Sequence, residues 1–317
     1  MPHPCGPAVA AASRRRERRP RQAPVPRRKM SLRARREAIS GFLFIAPWLL
    51  GLIIFTLGPI IVSLYLSMTN YEVVRAPVFN GFSNYEFLFK DRLFWQALRV
   101  TSTYVFVSVP LGLALSFAVA MLMNQKLKLL GLWRTIFYVP NLVPLIASSM
   151  LWLWLFNPQF GLFNAALLWF GIEGPNWLGH TQWALPSLIL MSLWNVGGPM
   201  LIYLAGLQGI PTDLYEACDI DGAGAWTKFR AVTIPMMTPV IFFNLILGMI
   251  AAFQTFAQAF VMTEGGPRYA TLFYVLYLYQ NAFQFFRMGY AAALAWILFI
   301  IIFAFTVLIF RSSAAWV

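Results

Sequence analysis

The sequence has few charged residues for its length. Asp, Glu, Lys and Arg make up 11% of its 317 residues, 60% are hydrophobic, and the mean hydropathy is +0.67. A soluble domain carries about 25% charged residues. So few charges cannot cover a globular surface of this size with polar groups, and the composition therefore favours a protein whose solvent is lipid.

Residues that ligate metals or act as nucleophiles are also scarce. The histidines are His3 and His180, and the cysteines are Cys5 and Cys218. These four form no metal-ligand spacing and no disulfide framework. The phosphate-binding pattern G-x-x-x-x-G-K-[ST] is absent as well. We therefore expect no metal site, no catalytic residues and no cofactor bound by this chain.

Long apolar runs are the main feature that is present. Six stretches lack Asp, Glu, Lys and Arg, namely residues 38–71, 100–125, 135–172, 174–212, 231–263 and 288–310. About 20 helical residues cross a bilayer, and backbone groups in lipid must pair within their own segment. The predicted fold is therefore an all-α integral membrane protein with six transmembrane helices, near residues 42–68, 101–123, 135–156, 184–206, 237–262 and 288–310.

Two further apolar segments leave an alternative open. Residues 160–172 and 271–286 are apolar but rich in aromatic residues, and Asn, Gln or Gly interrupts them. We expect interfacial helices there, because Trp and Tyr prefer the membrane–water boundary. The alternative is an additional span, which would change the topology.

The basic residues predict the orientation in the membrane. Twelve Lys and Arg residues lie between Arg14 and Arg36, within a segment of residues 1–39 that we expect to be a disordered tail. With this tail inside, 18 basic residues face the cytoplasm and six face outward, which predicts cytoplasmic N- and C-termini. The tail lacks interleaved aromatic residues, so nucleic-acid binding is not expected. Met30 is an alternative start, which would leave residues 1–29 untranslated.

These spans predict the following domain organisation. Residues 40–70 form the first transmembrane helix, and residues 71–99 form a periplasmic or extracellular loop. Residues 100–311 form a core of five transmembrane helices that includes a polar loop at residues 209–235. Residues 312–317 form a second cytoplasmic tail.

The polar loop between the fourth and fifth spans predicts a helix–turn–helix. Asp213 and Glu216 have the spacing of a capping box for the first helix. Gly222 permits a sharp reversal, and a second short helix follows with Trp226 and Phe229 on one face. Two prolines are expected to end that helix and to start the fifth span, Pro235 and Pro239. The loop either presents a small-residue surface to another protein or packs on its own spans.

This loop resembles the EAA motif of ABC importer permeases. The matching positions are Glu216, Ala217, Cys218, Asp221, Gly222, Ala223, Phe229 and Pro235. Cys218 replaces the second alanine of the motif, which is a mild departure because cysteine is nearly as small. After the fifth span, Gly265, Gly266 and Pro267 resemble the sugar-importing branch, the maltose and glycerol-phosphate type permeases. The resemblance covers residues 41–311.

The resemblance implies a type I importer permease in the bacterial cytoplasmic membrane. Such a permease pairs with a sister permease, and the EAA helix docks on one of two ATPase subunits that bind ATP and Mg. An extracytoplasmic binding protein delivers the sugar, and residues 265–267 are expected to contact it. The implied function is carbohydrate import.

One face of the fifth span predicts a substrate pathway. Asn244, Gly248, Ala251, Thr255 and Gln258 follow one another at helical spacing, and each is small or polar. No charged residue lies in any predicted span, which suits a neutral solute. Such stripes also pack helices together, so helix packing is the alternative. Two lesser candidates are Gln254 and Asn195.

Other functions remain as alternatives. The chain could be a permease for glycerol 3-phosphate or another polar solute. A secondary transporter should show paired halves and intramembrane carboxylates, and neither is visible in the sequence. A membrane enzyme lacks its cluster of His, Asp or Glu.

Overall fold

The computed structural model describes residues 32–125 and 128–313 as a helical protein. Its chain divides into two compact units, Met1–Gly58 and Pro59–Val317. The first helices in chain order are α1 (Leu32–Leu52), α2 (Gly58–Ser67), α3 (Ser83–Lys90), α4 (Arg92–Met123), α5 (Leu130–Tyr138), α6 (Leu145–Leu155), α7 (Leu162–Trp169) and α8 (Ala184–Ser192). They are followed by α9 (Gly197–Gln208), α10 (Thr212–Ile220), α11 (Ala225–Lys228), α12 (Ile234–Phe253), α13 (Ala257–Met262), α14 (Tyr274–Tyr279) and α15 (Met288–Ser313).

Six segments of the described chain are long and apolar enough to span a membrane when each bent pair of helices counts as one span. Four spans have no bend above 40°, namely Arg35–Ser67, Arg92–Met123, Ala225–Met262 and Met288–Ser312. The two bent ones are Leu130–Leu142 with Leu145–Leu155, and Ala184–Ser192 with Gly197–Gln208. The predicted all-α fold with six spans is confirmed.

The first unit corrects one prediction about the tail. Helix α1 begins at Leu32, so residues 32–39 are helical and not disordered. This stretch contains good helix formers such as Ala, Arg and Glu, and Arg33 donates to Glu37 one turn later at 3.3 Å. The rest of the predicted tail, residues 1–31, lies outside the described residues.

The prolines of the spans have unequal effects. Pro140 and Pro144 flank the bend of 99° in the third span, where a 3₁₀ turn, Val139–Leu142, replaces the α-helix. Proline removes a backbone donor and clashes with the preceding turn. Pro110, by contrast, lies inside the continuous helix α4.

Neither additional apolar segment is long enough for a further span. Helix α7 has eight residues, and α14 has six residues with a five-residue π-helical turn after it, Gln280–Gln284. A span needs about 20 residues, so the alternative of an additional span is wrong for both. Several residues of 271–286 are buried in the protein core, among them Phe273, Tyr274 and Asn281.

Asp91 anchors α14 between two spans. Its carboxylate caps α4 by accepting from the Leu93 N–H at 2.9 Å, and it also accepts from the hydroxyls of Tyr277 and Tyr290. Burial, with the hydrogen bond to Asp91, raises the pKa of Tyr277 to about 12. One carboxylate therefore joins α4, α14 and α15.

A short hairpin in the second unit connects the first span with the second span. Strand β1 (Thr69–Asn70) pairs antiparallel with β2 (Val78–Phe79), and Thr69 lies opposite Phe79. The Asn84 side chain donates to the carbonyls of Ser67 and Thr69 and thereby holds α3 against the hairpin. Strand β2 and α3 lie in the predicted 71–99 loop, whereas β1 lies in the predicted 40–70 helix, which ends at Ser67.

Candidate functional site

A cavity of about 300 Å³ lies among four spans of the second unit. Helix α4 contributes small and polar side chains at every fourth position: Tyr104, Ser108, Gly112 and Ser116. The bent fourth span contributes Ser192, Asn195, Val196 and Pro199, and the fifth span contributes Gly248, Ala251, Ala252, Thr255 and Gln258. Val109, Leu113 and Leu145 complete the lining. We call this set the polar cavity.

No Asp, Glu, Lys, Arg or His is among the described residues that line the polar cavity. Its polar groups are hydroxyls and the amides of Asn195 and Gln258. A binding site for a small molecule has a volume of about 300–1,000 Å³ and combines apolar walls with a few placed polar groups. The cavity is therefore suited to a small neutral solute that offers hydroxyl groups.

A hydrogen bond crosses the cavity between two spans. The Gln258 amide donates to the Tyr104 hydroxyl at 2.8 Å, and both residues are buried. A buried polar group that loses its partner costs about 1–3 kcal/mol. This bond therefore links the lining of α4 to that of α13.

The fifth span is interrupted at the cavity. Helix α12 ends at Phe253 and α13 begins at Ala257, so residues 254–256 are not helical. Non-helical backbone within a membrane is tolerated where it lines a cavity or is buried in protein, and transporters place broken helices at their solute sites. Thr255, which lines the polar cavity, lies in this break.

The structure brings together most of the predicted pathway residues. Gly248, Thr255, Gln258 and Asn195 all line the polar cavity. Asn244 does not, because its amide donates to the Val240 carbonyl of its own helix at 3.0 Å.

Gln254 also lies apart from the cavity lining, and its side chain is exposed. Sequence reasoning missed the lining residues of α4, among them the four small or polar ones. Their signal was present as small or polar residues at a constant spacing of four within the second span.

The coupling loop forms a second candidate site. Helix α10, the reversal at residues 221–224 and helix α11 together form what we call the elbow. Gly222 has φ +69° and follows the end of α10. Its N–H donates to the backbone carbonyl of Asp219 at 3.1 Å, and the Ala223 N–H donates to the backbone carbonyl of Cys218 at 2.9 Å. These two bonds form a Schellman motif, which favours glycine at the left-handed position.

The elbow is attached to the spans by a few contacts. The hydroxyls of Tyr215 and Thr233 are 2.9 Å apart, whereas the ion pair of Lys228 with Asp219 joins α11 to α10 within the elbow. Cys218 and Phe229 pack against a buried apolar cluster of α4, α9 and α12. The elbow is therefore folded and docked on its own spans.

The opposite surface of the elbow is open. Glu216, Ala217, Asp221 and Gly222 are exposed, while Ala223 is half-buried. Two large apolar side chains are exposed beside them, Ile220 at 87% and Trp226 at 71%. Trp226 stacks on Phe229 with ring centroids 5.3 Å apart, which confirms their predicted common face. The elbow thus presents an apolar and acidic surface.

Two local predictions for this loop are wrong. Pro211 occupies the N-cap of α10, so Asp213 lies in the first turn and forms no capping box. Pro235 and Pro239 do not end the second helix, which runs on through a π-helical turn, Phe229–Thr233. In that turn the Ile234 N–H donates to the Phe229 carbonyl, five residues earlier and not four. The backbone hydrogen bonds are therefore already out of the α-helical register at Pro235, which has no N–H to donate.

Residues 265–267 form a tight turn after the fifth span. Gly265 is buried and has φ +89°, and a side chain there would meet Leu272. The Thr271 hydroxyl donates to the Gly266 carbonyl at 2.6 Å, and Pro267 is half-buried. The exposed side chains of this turn are Glu264, Arg268 and Tyr269.

The sequence matches the family model described as "Binding-protein-dependent transport system inner membrane component" over residues 108–316. A probable ABC transporter permease protein of Bacillus subtilis, YesP, is 40% identical over 91% of this chain and 95% of its own length. The trehalose/maltose transport system permease protein MalF of Thermococcus litoralis is 35% identical over 86% of this chain and 92% of its own length.

A solved structure supports the fold. A bacterial ABC transporter involved in the import of the acidic polysaccharide alginate contains a chain that matches with a TM-score of 0.77, at 22% identity, over 89% of this chain and 99% of that one. The family match spans more than half of the sequence and includes the elbow and most of the polar cavity. The chain belongs to the family of inner-membrane components of binding-protein-dependent transport systems.

Proposed function

We propose that this chain is the permease subunit of an ATP-driven ABC importer that translocates a carbohydrate. The observation that carries the proposal is the polar cavity, which offers hydroxyls and amides to a solute and has no charged lining residue. The lactose permease LacF of Rhizobium radiobacter, 36% identical over 83% of this chain and 90% of its own length, agrees with a sugar substrate. An anionic solute such as glycerol 3-phosphate is less well matched, because no Lys or Arg is among the described residues of the cavity lining.

The elbow supplies the connection to ATP hydrolysis. In this proposal it faces the cytoplasm and docks on one of two ATPase subunits, which bind ATP and Mg. The exposed residues Glu216, Ala217 and Gly222 contact that subunit, and closure of the ATPases moves the spans. A sister permease completes the pathway in the bacterial cytoplasmic membrane, with both termini of this chain inside.

A binding protein delivers the solute from outside. Residues 265–267 hold the turn that presents Glu264, Arg268 and Tyr269 to it. A solved relative of this fold is in complex with an alginate pentasaccharide-bound periplasmic protein, which supports a partner of this kind.

The test is to co-purify the chain with its sister permease, ATPase subunits and binding protein, and to measure ATP hydrolysis with and without maltose, trehalose or lactose. We expect sugar to stimulate hydrolysis. Glu216→Ala and Gly222→Pro should abolish the stimulation while the membrane pair still assembles. Unaltered stimulation in both variants would contradict the docking role, and solute transport without any ATPase would contradict the proposed class.

A further inference from the structure

Four aromatic rings of the fifth span and of the segment from α14 to residue 284 form a continuous row. Phe256 and Phe260 stack with centroids 5.2 Å apart, and Tyr279 lies 5.0 Å from Phe256 and 5.4 Å from Phe260. Phe283 continues the row at 5.1 Å from Tyr279. We call these four side chains the aromatic row.

The aromatic row begins next in sequence to the cavity lining and ends at an exposed ring. Phe256 lies in the non-helical break, between Thr255 and Gln258, which both line the polar cavity. Phe256, Phe260 and Tyr279 are half-buried, and Phe283 is 56% exposed. The rings are therefore fixed by their neighbours and still accessible along one side.

The row supplies aromatic surface, of which the polar cavity has little. Its lining contains a single aromatic residue, Tyr104, whose hydroxyl accepts from Gln258. A pyranose ring has a C–H face that packs on aromatic rings and hydroxyls that need polar partners. Binding sites for small organic molecules combine both kinds of wall.

We propose that the aromatic row is a stacking surface for the rings of a saccharide on its way to or from the polar cavity. The inference rests on the proposed function, since it assigns a carbohydrate to the same pathway. It adds a second contact zone for the solute outside the cavity, formed by Phe256, Phe260, Tyr279 and Phe283. An oligosaccharide can then contact the row and the polar lining at once.

The direct test uses a photoreactive benzophenone amino acid in the assembled transporter. It replaces Phe283 in one variant and Phe285 in the matched control, which is 57% exposed and lies outside the row. Radiolabelled maltotriose, trehalose and lactose are supplied with binding protein and ATP, after selection of a sugar that stimulates hydrolysis. We expect labelled sugar on the chain at position 283 and at least fivefold less at position 285.

Other outcomes overturn the inference. Equal labelling at both positions, or cross-linking of position 283 to the sister permease alone while transport runs, would show that no sugar passes the row. If none of the sugars stimulates hydrolysis in the wild-type complex, the proposed function fails, and this inference fails with it. The two failures are thereby distinguished.

A second measurement uses substitutions. Tyr279→Leu and Phe283→Ala should each lower the maximal transport rate of maltotriose about two- to tenfold at saturating binding protein, the range expected for one lost ring contact. Phe285→Ala should leave it unchanged. Wild-type rates in both row variants would contradict the proposal.

Discussion

The elbow and the polar cavity are built in opposite ways. The elbow is formed by residues close in sequence, such as Asp219, Gly222 and Lys228, and most of its side chains are exposed. The polar cavity joins residues as distant as Tyr104 and Gln258, whose side chains are buried. A surface that must fit a partner can be encoded locally, whereas a solute pathway requires several spans to meet.

The largest effect should come from the reversal of the elbow. Gly222→Ser places a side chain at φ +69°, a conformation that costs an L-residue about 1–2 kcal/mol. Because this distorts the docking surface, we expect sugar-stimulated ATP hydrolysis to fall about tenfold. ATP hydrolysis by the purified complex measures it.

Gly224→Ser is the matched control. Gly224 has φ −70° at the N-cap of α11, with nothing within 4 Å of an added Cβ, and serine is favoured at an N-cap. We expect normal stimulation. Equal loss in the two serine variants would show that the left-handed turn is not the critical feature.

A similar comparison applies to the cavity. Gln258→Leu removes the donor to the buried Tyr104 hydroxyl, at a cost of about 1–3 kcal/mol. We expect solute transport to fall about tenfold while assembly with the sister permease is retained. Radiolabelled sugar uptake and co-purification measure these two quantities.

Gln254→Leu serves as the control for that variant, because Gln254 is exposed and lies outside the cavity lining. Its uptake should match the wild type. If the two leucine variants lose uptake equally, the assignment of the cavity as the pathway is wrong.

An intermediate effect is expected from narrowing the cavity. A Cβ at Gly248 would lie 3.3 Å from Val109 Cγ1, so Gly248→Leu must push its side chain into the lining. Uptake of a trisaccharide should fall several-fold more than uptake of a disaccharide. Gly131→Leu is the control, because nothing lies within 4 Å of an added Cβ there, and it should change the uptake of neither sugar. An equal loss of trisaccharide and disaccharide uptake in Gly248→Leu would argue against a steric role.

The smallest effect concerns the ion pair of the elbow. Asp219→Asn removes the partner of Lys228, but the Asp219 side chain is 64% exposed. Exposed pairs contribute about 0–1 kcal/mol. Sugar-stimulated ATP hydrolysis should therefore fall by no more than about fivefold from the wild-type rate. A loss as large as that of Gly222→Ser would show that the pair is essential to the elbow.

The same contrast explains what the sequence predicts well. The six spans follow from charge-free length alone, and the exposed elbow follows from a local run around Gly222. The second face of the cavity, Tyr104 to Ser116, escaped prediction because a small-residue stripe has the same appearance in a packing interface. The unbroken helix through Pro235 was missed because a π-helical turn has no simple sequence signal.

The central claim is that the elbow faces the cytoplasm, where an ATPase acts on it. The most direct measurement labels a cysteine at exposed Ala217, with Cys5 and Cys218 both replaced by Ala, using a membrane-impermeant maleimide. Ser83→Cys on α3 is the control for the opposite side. A cytoplasmic elbow should be labelled at position 217 in inside-out vesicles, and position 83 should be labelled in intact cells. Labelling of position 217 in intact cells would show that the elbow faces outward.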